Sequence, residues 1–361
     1  PDPPLSDDLY RYLWDGRVGN AGIHPFVHAP DSDELGNLRD EAVWPHINHP
    51  DVPTIYPPVA QYFFRVLDVA APTPRGVRVV MSLVDLLGVA ALAGLLRKRG
   101  RPAALCVVAA WCPLSVMETA GGAHIDALGS LLLVGAMVLW VAPPRPFLAG
   151  LVLGLSTLVK PTALALAPAL LMRAPGRRVT MVAGALVAGL VALPFLSAGA
   201  QLFTGFLTYA EHWRFNDSLY SALVAGGLTP RGARGVLSAA VLILAIVLPW
   251  RLRRSLASVA AVLGAGIVLS PTVHPWYALW LVPWLPFLPE RVRPAGVVLV
   301  ALLPLSYAAA WLERTTGVWV EPAWLRPAVW GPVFLLLAAG GAAGLLARQR
   351  SGAPQRGAED G

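Results

Sequence analysis

The chain has 361 residues, of which 56% are hydrophobic and 14% are charged, and its mean hydropathy is +0.60. A soluble domain carries more surface charge, so this composition excludes the soluble class and predicts an all-α protein with many membrane spans. The net charge of +7 could indicate nucleic-acid binding. However, the arginines fall mostly in short loops between apolar runs, as the positive-inside rule describes, so we predict no nucleic-acid partner.

Residues 1–75 are predicted to form a long loop outside the cytoplasm, and long loops are often functional. Leu9 to Val18 has the pattern of an amphipathic helix, for which Ser6 or Asp7 would be the N-cap. Residues 59–71 are apolar but short and contain charged side chains, so we predict an interfacial helix there rather than a span.

A membrane span needs about 20 mostly apolar residues. Residues 146–173 are interrupted by Lys160 and Pro161, and we predict two short helices that meet there; a single kinked helix is the alternative. With that pair we predict about eleven transmembrane helices within 76–347, and a disordered cytoplasmic tail over 348–361. The other predicted spans are 76–96, 103–118, 125–142, 178–198, 233–250, 255–271, 276–289, 294–311 and 324–347.

The basic loops set the predicted orientation, because arginine and lysine are retained on the cytoplasmic side. Counting crossings with a break at Lys160 keeps all of these loops on one side. The predicted cytoplasmic segments contain Arg97 to Arg101, Arg145, Arg173 to Arg178, Arg251 to Arg254, Arg291 to Arg293, and Arg348 to Arg350. The segments predicted outside are 1–75, 119–124, Lys160, 199–232, 272–275 and 312–323.

Nearly every chemically suggestive cluster lies in the arginine-poor segments. Chance would scatter such clusters over both faces, so we predict one extracytoplasmic active site on an integral protein of the cell membrane. The clusters are Ser6 to Tyr12, Thr54 to Pro58, Gly121 to Asp126, Leu158 to Pro161, His212 to Asn216, and His274 to Tyr277.

His124 and Asp126 follow two glycines at the predicted mouth of a span. Ionisable groups are costly there unless they are paired or wetted, so a functional site is one interpretation and a His–Asp hydrogen bond that locks the turn is another. His-x-Asp could also begin a metal site, but no other strong ligand cluster accompanies it. We therefore predict no metal and no cofactor.

Lys160 stands out because Lys98 and Lys160 are the only lysines among 28 basic residues. A lysine within an apolar stretch must face protein or a water-filled cavity, where its compact ammonium suits a phosphate. The alternative is that it extends to the membrane interface. Aromatic and hydrogen-bonding residues alternate over 211–218, a mixture that suits a sugar or, alternatively, the aromatic belt of a membrane protein.

Together these clusters resemble the GT-C superfamily of membrane glycosyltransferases, specifically the bacterial polyprenol-phosphate-mannose-dependent mannosyltransferases. Each motif alone is weak, and the resemblance depends on their order and shared side. The motifs that carry it are Ser6 to Arg17, Gly22 to Phe26, Thr54 to Pro58, Glu118 to Asp126, Lys160-Pro161, and His274 to Tyr277.

The resemblance implies inverting transfer of a sugar, most often mannose, from a polyprenyl phosphate to a glycolipid or glycan acceptor outside the cytoplasm. It implies a transmembrane helix upstream of the first loop, and an acidic base in that loop, at Asp8 with Asp7 as the neighbouring candidate. The phosphate-binding candidates are Lys160, His274 and Arg11. The candidates for binding sugar or acceptor are Tyr56, His124, Asp126, Asn216, Trp276 and Tyr277.

Two other functions remain open from the sequence. The same fold could use a different polyprenyl-linked hexose or pentose. A transporter of lipids or solutes would also contain charges within the membrane, but it should show paired inverted repeats with interrupted helices in both halves. The interruption at Lys160 and Pro161 has no convincing partner, which favours the enzyme.

Overall fold

The computed structural model describes residues 4–141, 143–166, 176–252 and 255–352, with side chains up to residue 344. Within these ranges the chain is helical, and its one β contact is an isolated parallel bridge between Phe215 and Thr272. The helices are α1 (Asp8–Asn20), α2 (Pro58–Ala70), α3 (Pro74–Lys98), α4 (Val107–Ala110), α5 (Pro113–Val116), α6 (Asp126–Trp140), α7 (Pro146–Thr157), α8 (Arg177–Ala192), α9 (Thr204–His212), α10 (Tyr220–Ala225), α11 (Pro230–Leu252), α12 (Ser255–Leu269), α13 (Arg293–Leu302), α14 (Tyr307–Thr316) and α15 (Leu325–Gly352).

Five of the described helical stretches are long and apolar enough to cross a membrane, which makes this a multi-pass membrane protein. Two of the five combine consecutive helices: α8 continues through a 3₁₀ segment into α9, and α13 continues into α14. Ala103–Ala110 and Pro113–Gly121 meet the same criteria only as a pair, bent by 55°, and form either a broken span or a re-entrant loop. Leucines and valines on these stretches remain exposed, as expected of surfaces that face lipid. The finer count of about eleven spans stays a prediction.

Some predicted elements differ from the structure. Residues 276–289 form two 3₁₀ segments, Pro275–Trp280 and Val282–Phe287, instead of a span. Prolines within and before these segments remove backbone donors and prevent a regular α-helix. After α7, Pro161–Leu166 is also 3₁₀, and the rest of the predicted second short helix, 167–173, lies outside the described residues.

The C-terminal end also differs from the prediction. Helix α15 runs to Gly352, so the first residues of the predicted disordered tail are helical. Arginine and glutamine after the apolar run are good helix formers, so the helix continues past the end of the hydrophobic pattern. The remainder of the tail, 353–361, lies outside the described residues.

The first loop folds into a layer built on α1 and α2. Tyr12 stacks on Phe64 with ring centroids 4.6 Å apart, and a Cβ at Gly16 would lie 2.2 Å from the carbonyl oxygen of Phe64. Almost all of α1 is buried, so its aromatic residues pack inside the protein instead of lying on lipid headgroups. Helix α2, at 13 residues, is too short to span a membrane and exposes Val66 and Val69 on one face. Its position at the membrane interface stays a prediction.

Helices α7 and α8 approach each other through glycine. A Cβ at Gly150 would lie 2.2 Å from the Thr180 carbonyl oxygen, and one at Gly154 would lie 2.5 Å from that of Gly184. Small residues four apart let helix backbones pack closely in membranes, where van der Waals contact drives association. This contact fixes the end of α7, from which Lys160 follows.

Candidate active site

Five of the six polar clusters singled out in the sequence supply side chains that contact one another, and the sixth, His212 to Asn216, contributes the ring of Phe215, which contacts His274. The N-terminus of α1, the segment before α2, the turn before α6, the residues after α7 and the turn before Pro275–Trp280 meet at one end of the helices. The side chains that touch in this polar cluster are Asp8, Asn48, Tyr56, Glu118, His124, Asp126, Lys160, His274, Trp276 and Tyr277.

Asp8 is the carboxylate of the cluster that is partly open to solvent, with its side chain 16% exposed. The Asn48 side-chain amide donates to Asp8 Oδ1 at 3.2 Å and the Tyr56 hydroxyl donates to Asp8 Oδ2 at 3.3 Å. Burial alone would raise the pKa of Asp8, but the contact with His124 and the charges of His124 and Lys160 outweigh it and hold that pKa well below its usual range. Asp8 is therefore an ionised proton acceptor at neutral pH.

The neighbouring carboxylate lies in a different environment. Asp7 is exposed, and its side chain makes no capping hydrogen bond to α1. Ser6 is the other predicted N-cap, and its hydroxyl oxygen accepts from the backbone N–H of Asp8 at 3.3 Å. The two adjacent aspartates thus differ in contacts, and Asp8 is the one that faces the polar cluster.

Irregular backbone before His124 sets the direction of its side chain. The segment Met117–Gly121 is a π turn in which the N–H of Gly122 bonds to the Met117 carbonyl, five residues back, and Ala123 then has φ of +58°. A positive φ at a residue other than glycine costs energy and is maintained only where the surroundings require it. Here it turns His124 inward, where the ring is fully buried.

The buried imidazole lies between two carboxylates. Nδ1 of His124 is 3.5 Å from Asp8 Oδ2, and Nε2 is 3.2 Å from Glu118 Oε2. One ring face stacks on Trp276 with centroids 3.9 Å apart. His124 therefore connects the partly open carboxylate to a carboxylate that is fully buried.

Lys160 pairs with Asp126. Its Nζ lies 2.7 Å from Asp126 Oδ2, and the indole N–H of Trp280 donates to the other oxygen at 2.8 Å. Asp126 is buried whereas the Lys160 side chain remains 18% exposed, with Nζ 5.3 Å from the centroid of the Tyr277 ring. Lys160 thus presents an ammonium to the open side of the cluster while Asp126 holds it from behind.

Aromatic rings form the wall beside these charges. His274 stacks on the second face of Trp276, with centroids 4.3 Å apart and planes 4° from parallel, and its ring also contacts Phe215. Desolvation in this packing lowers the pKa of His274 to about 3, so its ring is neutral at physiological pH. The predicted cationic role at a phosphate is therefore reduced to hydrogen bonding. Tyr277 contacts the hydroxyl of Tyr209 through its own hydroxyl.

Two predicted site residues are placed away from the cluster. Arg11 is buried, pairs with Asp15 at 2.9 Å and donates to the Val52 carbonyl oxygen at 2.9 Å, so its guanidinium is already occupied. Asn216 is fully buried with φ of +44°, and among the described residues its side-chain amide has no hydrogen-bond partner. Its backbone oxygen accepts from the Trp330 indole at 2.9 Å, which gives it a structural contact.

Sequence reasoning missed three residues that complete the cluster: Asn48, Trp280 and Tyr307. Asn48 bonds to Asp8, Trp280 to Asp126, and Tyr307 donates to Glu118 Oε2 at 2.8 Å. Asn48 lies between His46 and His49, and this local concentration of polar side chains is a signal that could have been followed. The pairing of Tyr307 with Glu118 spans 189 residues and had no local signal. In the part of the chain that the structure describes, no three His, Cys, Asp or Glu side chains are placed to hold a metal ion.

The arrangement combines an ionised, partly open carboxylate, an ammonium and flat aromatic surfaces within one partly open site. Such a set can accept a proton, hold an anionic group and pack against a sugar ring. Comparison with protein families agrees with that chemistry: the model described as Glycosyltransferase family 87 matches residues 54–275, more than half of the chain. That range contains Glu118, His124, Asp126 and Lys160, whereas Asp8 precedes it. No curated protein matches the chain.

Proposed function

This chain belongs to glycosyltransferase family 87, and from that membership we propose that it transfers mannose from a polyprenyl phosphate to a glycolipid or glycan acceptor outside the cytoplasm. The observation that carries the proposal is that one polar cluster contains both a partly exposed carboxylate, Asp8, and a partly exposed ammonium, Lys160. A glycosyl transfer from a lipid phosphate needs a base for the attacking hydroxyl and a cation for the departing phosphate, and these two groups supply them.

Asp8 acts as the general base in this proposal. Its ionised Oδ2 takes the proton of the acceptor hydroxyl as the hydroxyl oxygen attacks the anomeric carbon from the face opposite the phosphate. The new glycosidic bond forms as the bond between the anomeric carbon and the phosphate oxygen breaks. The configuration at that carbon is inverted, and the proton stays with the enzyme until solvent removes it.

Lys160 stabilises the leaving group. Polyprenyl phosphate is already stable as an anion, so it needs no general acid, and an ammonium fixed by Asp126 is preorganised for its charge. His274, kept neutral by its packing, supplies a hydrogen bond instead of a charge. Arg11 is left out of the proposed phosphate site because Asp15 and the Val52 carbonyl already bind it.

The sugar is proposed to pack on the partly exposed ring of Tyr277 and to meet only the exposed edge of Trp276, because histidine rings cover both faces of that indole. Burial raises the pKa of Tyr56 well above its usual value, so its hydroxyl stays protonated and donates to Asp8. His124, Asp126 and Asn216 have essentially no exposed surface. None of these three residues is therefore proposed to contact the sugar. His124 acts indirectly through Asp8, and Asp126 acts indirectly through Lys160.

The test is incubation of membranes containing the full-length protein with radiolabelled polyprenyl-phosphate-mannose, followed by analysis of product and linkage. We expect mannose transfer with inversion at the anomeric carbon. Parallel reactions use polyprenyl-phosphate-linked glucose and a polyprenyl-phosphate-linked pentose. Transfer of one of these without mannose would reject the sugar assignment, and retention of configuration would reject Asp8 as a base acting in a single displacement.

A further inference from the structure

Glu118 is a buried carboxylate that the proposed reaction does not use. It is fully buried, its Oε2 accepts from the Tyr307 hydroxyl, and its Oε1 has no hydrogen-bond partner among the described residues. Removing a carboxylate from water costs several kcal/mol unless nearby groups compensate. The nearby group that compensates is His124, whose Nε2 lies 3.2 Å away.

His124 cannot reach a substrate in this geometry. Neither ring nitrogen is exposed to solvent or makes a hydrogen bond of regular geometry to a described residue, and one face of the ring is covered by Trp276. An imidazole can donate from both nitrogens only when it carries its second proton, and here a carboxylate oxygen lies near each nitrogen. Any effect of His124 on the reaction must therefore pass through Asp8, the one of its two carboxylates that is open to the site.

We propose that Glu118 and His124 are positioning residues, in which Glu118 fixes the imidazolium of His124 and His124 fixes the direction of Asp8 Oδ2. This inference rests on the proposed function, because Glu118 and His124 are assigned here to support Asp8, the residue that acts as the base in that function. The succession from Glu118 through His124 to Asp8 is the same as in other catalytic sites, where a buried acid orients a histidine and the histidine orients the group that reacts.

The charges around the imidazole decide the pH behaviour of the arrangement. Each negative group near the ring favours its protonated form, and each cation opposes it. Loss of the Glu118 charge should therefore change the pH dependence of a reaction whose base, Asp8, contacts the same ring. The titratable groups that face His124 or lie in the same cluster are Asp8 from α1, Glu118 from the π turn, Asp126 from α6, Lys160 after α7, and His274 across Trp276.

The first test follows the transfer reaction of the full-length protein as a function of pH. Glu118→Gln should lower kcat about 10- to 100-fold, the usual effect of losing a supporting residue, with less than a twofold change in donor KM. It should also move the alkaline limb of the kcat profile to lower pH. Glu118→Asp keeps the charge and should keep the alkaline limb in place. The control is Glu321→Gln, which changes a carboxylate that pairs with Arg326 and should leave both kcat and the alkaline limb unchanged.

The second test needs no substrate. In a double-mutant cycle on thermal unfolding, Asp8→Asn and Glu118→Gln should together lower Tm by clearly less or clearly more than the two single losses added, because both act on His124. Asp8→Asn with Glu321→Gln should be additive.

Additive losses for Asp8 and Glu118, or an unmoved alkaline limb in Glu118→Gln, would overturn the positioning role. Absence of mannose transfer by the unaltered protein would instead reject the proposed function, and the Tm cycle would still decide whether the three residues are coupled. If Glu118→Gln does not fold, Tyr307→Phe replaces it in both tests. That variant removes the hydrogen bond to Glu118, and we expect it to cause smaller shifts in the same directions.

Discussion

Asp7 and Asp8 are adjacent in the chain, yet only Asp8 meets Asn48 and Tyr56. Asp8→Asn should lower kcat by about 10²- to 10⁴-fold with little change in donor binding, because the amide keeps the shape but cannot take up the hydroxyl proton. Asp7→Asn should have a much smaller effect. Steady-state kinetics on both variants check this, and loss of activity in Asp7→Asn with retention in Asp8→Asn would move the base one residue earlier.

Lys160 pairs with a buried carboxylate, Asp126, whereas the other lysine, Lys98, donates to a backbone carbonyl. Lys160→Met should raise donor KM and lower kcat, because the phosphate is charged in both the bound substrate and the transition state. Since the variant also leaves Asp126 buried without a counter-charge, the double change with Asp126→Asn should recover stability but not donor affinity. The matched control is Lys98→Met, which removes only an exposed hydrogen bond to the Val138 carbonyl. Normal donor KM in Lys160→Met would contradict the phosphate role.

His274 gives the protein a pH-dependent stability. Its pKa in the fold is about 3, below the ordinary value of 6.5, so the unfolded chain binds a proton that the folded chain does not. The stabilisation is complete above pH 6.5 and declines as the pH falls from there toward 3. Tm of the purified protein should therefore drop between pH 7 and pH 5, and His274→Gln should reduce that drop. An equal drop in the variant would assign the effect to other groups.

At the scale of elements, the glycine contact between α7 and α8 should control where Lys160 lies. Gly150→Ala places a methyl group against the Thr180 carbonyl and should cost about 1–3 kcal/mol through overpacking. It should also raise donor KM, because the end of α7 moves. Gly189→Ala on α8, where a Cβ meets nothing within 4 Å, is the control. Equal Tm values for the two variants would show that the close approach is not required.

The elements also show where sequence reasoning succeeds and where it fails. Long apolar runs such as Pro74–Lys98 are recognised because one strong signal, hydropathy, decides them. Over 276–289 the same hydropathy predicts a span, but closely spaced prolines prevent a regular α-helix and the segment is 3₁₀ instead. Arg11 was assigned to the phosphate although Asp15, four residues on, was a visible helical partner. Contacts such as Tyr307 to Glu118 depend on the tertiary fold and leave no local pattern.

At the scale of the whole molecule, the convergence of separate polar clusters on one site was predictable. Segments predicted to share one side of a membrane are expected to lie near each other, and Lys160 and Asp126 do make contact across 34 residues. The roles within the site were less predictable, because they depend on exposure. His124 and Asp126 carry the residue types expected of a sugar site, and only burial shows that neither reaches the surface.

The predicted orientation of the molecule can be tested by cysteine labelling. With Cys106 and Cys112 replaced by serine, Glu41→Cys in the first loop and Arg99→Cys after α3 both give exposed thiols. A reagent that cannot cross membranes should label position 41 in intact cells and position 99 only after permeabilisation, because the basic loop is retained in the cytoplasm. Labelling of both positions from the same side would contradict the topology.

Because Met117–Gly121 forms a π turn, the site should be more sensitive to the number of residues in this segment than to the identity of their side chains. A π turn contains one residue more than the α-helical turn it replaces. Deleting Ala120 would remove the residue that the wide turn accommodates and close it to an α-helical turn, so the irregular backbone that directs His124 toward Asp8 would be lost. Single-residue deletions here should therefore be far more damaging than substitutions at the same positions. We expect related chains to keep the length of this segment even where its side chains vary.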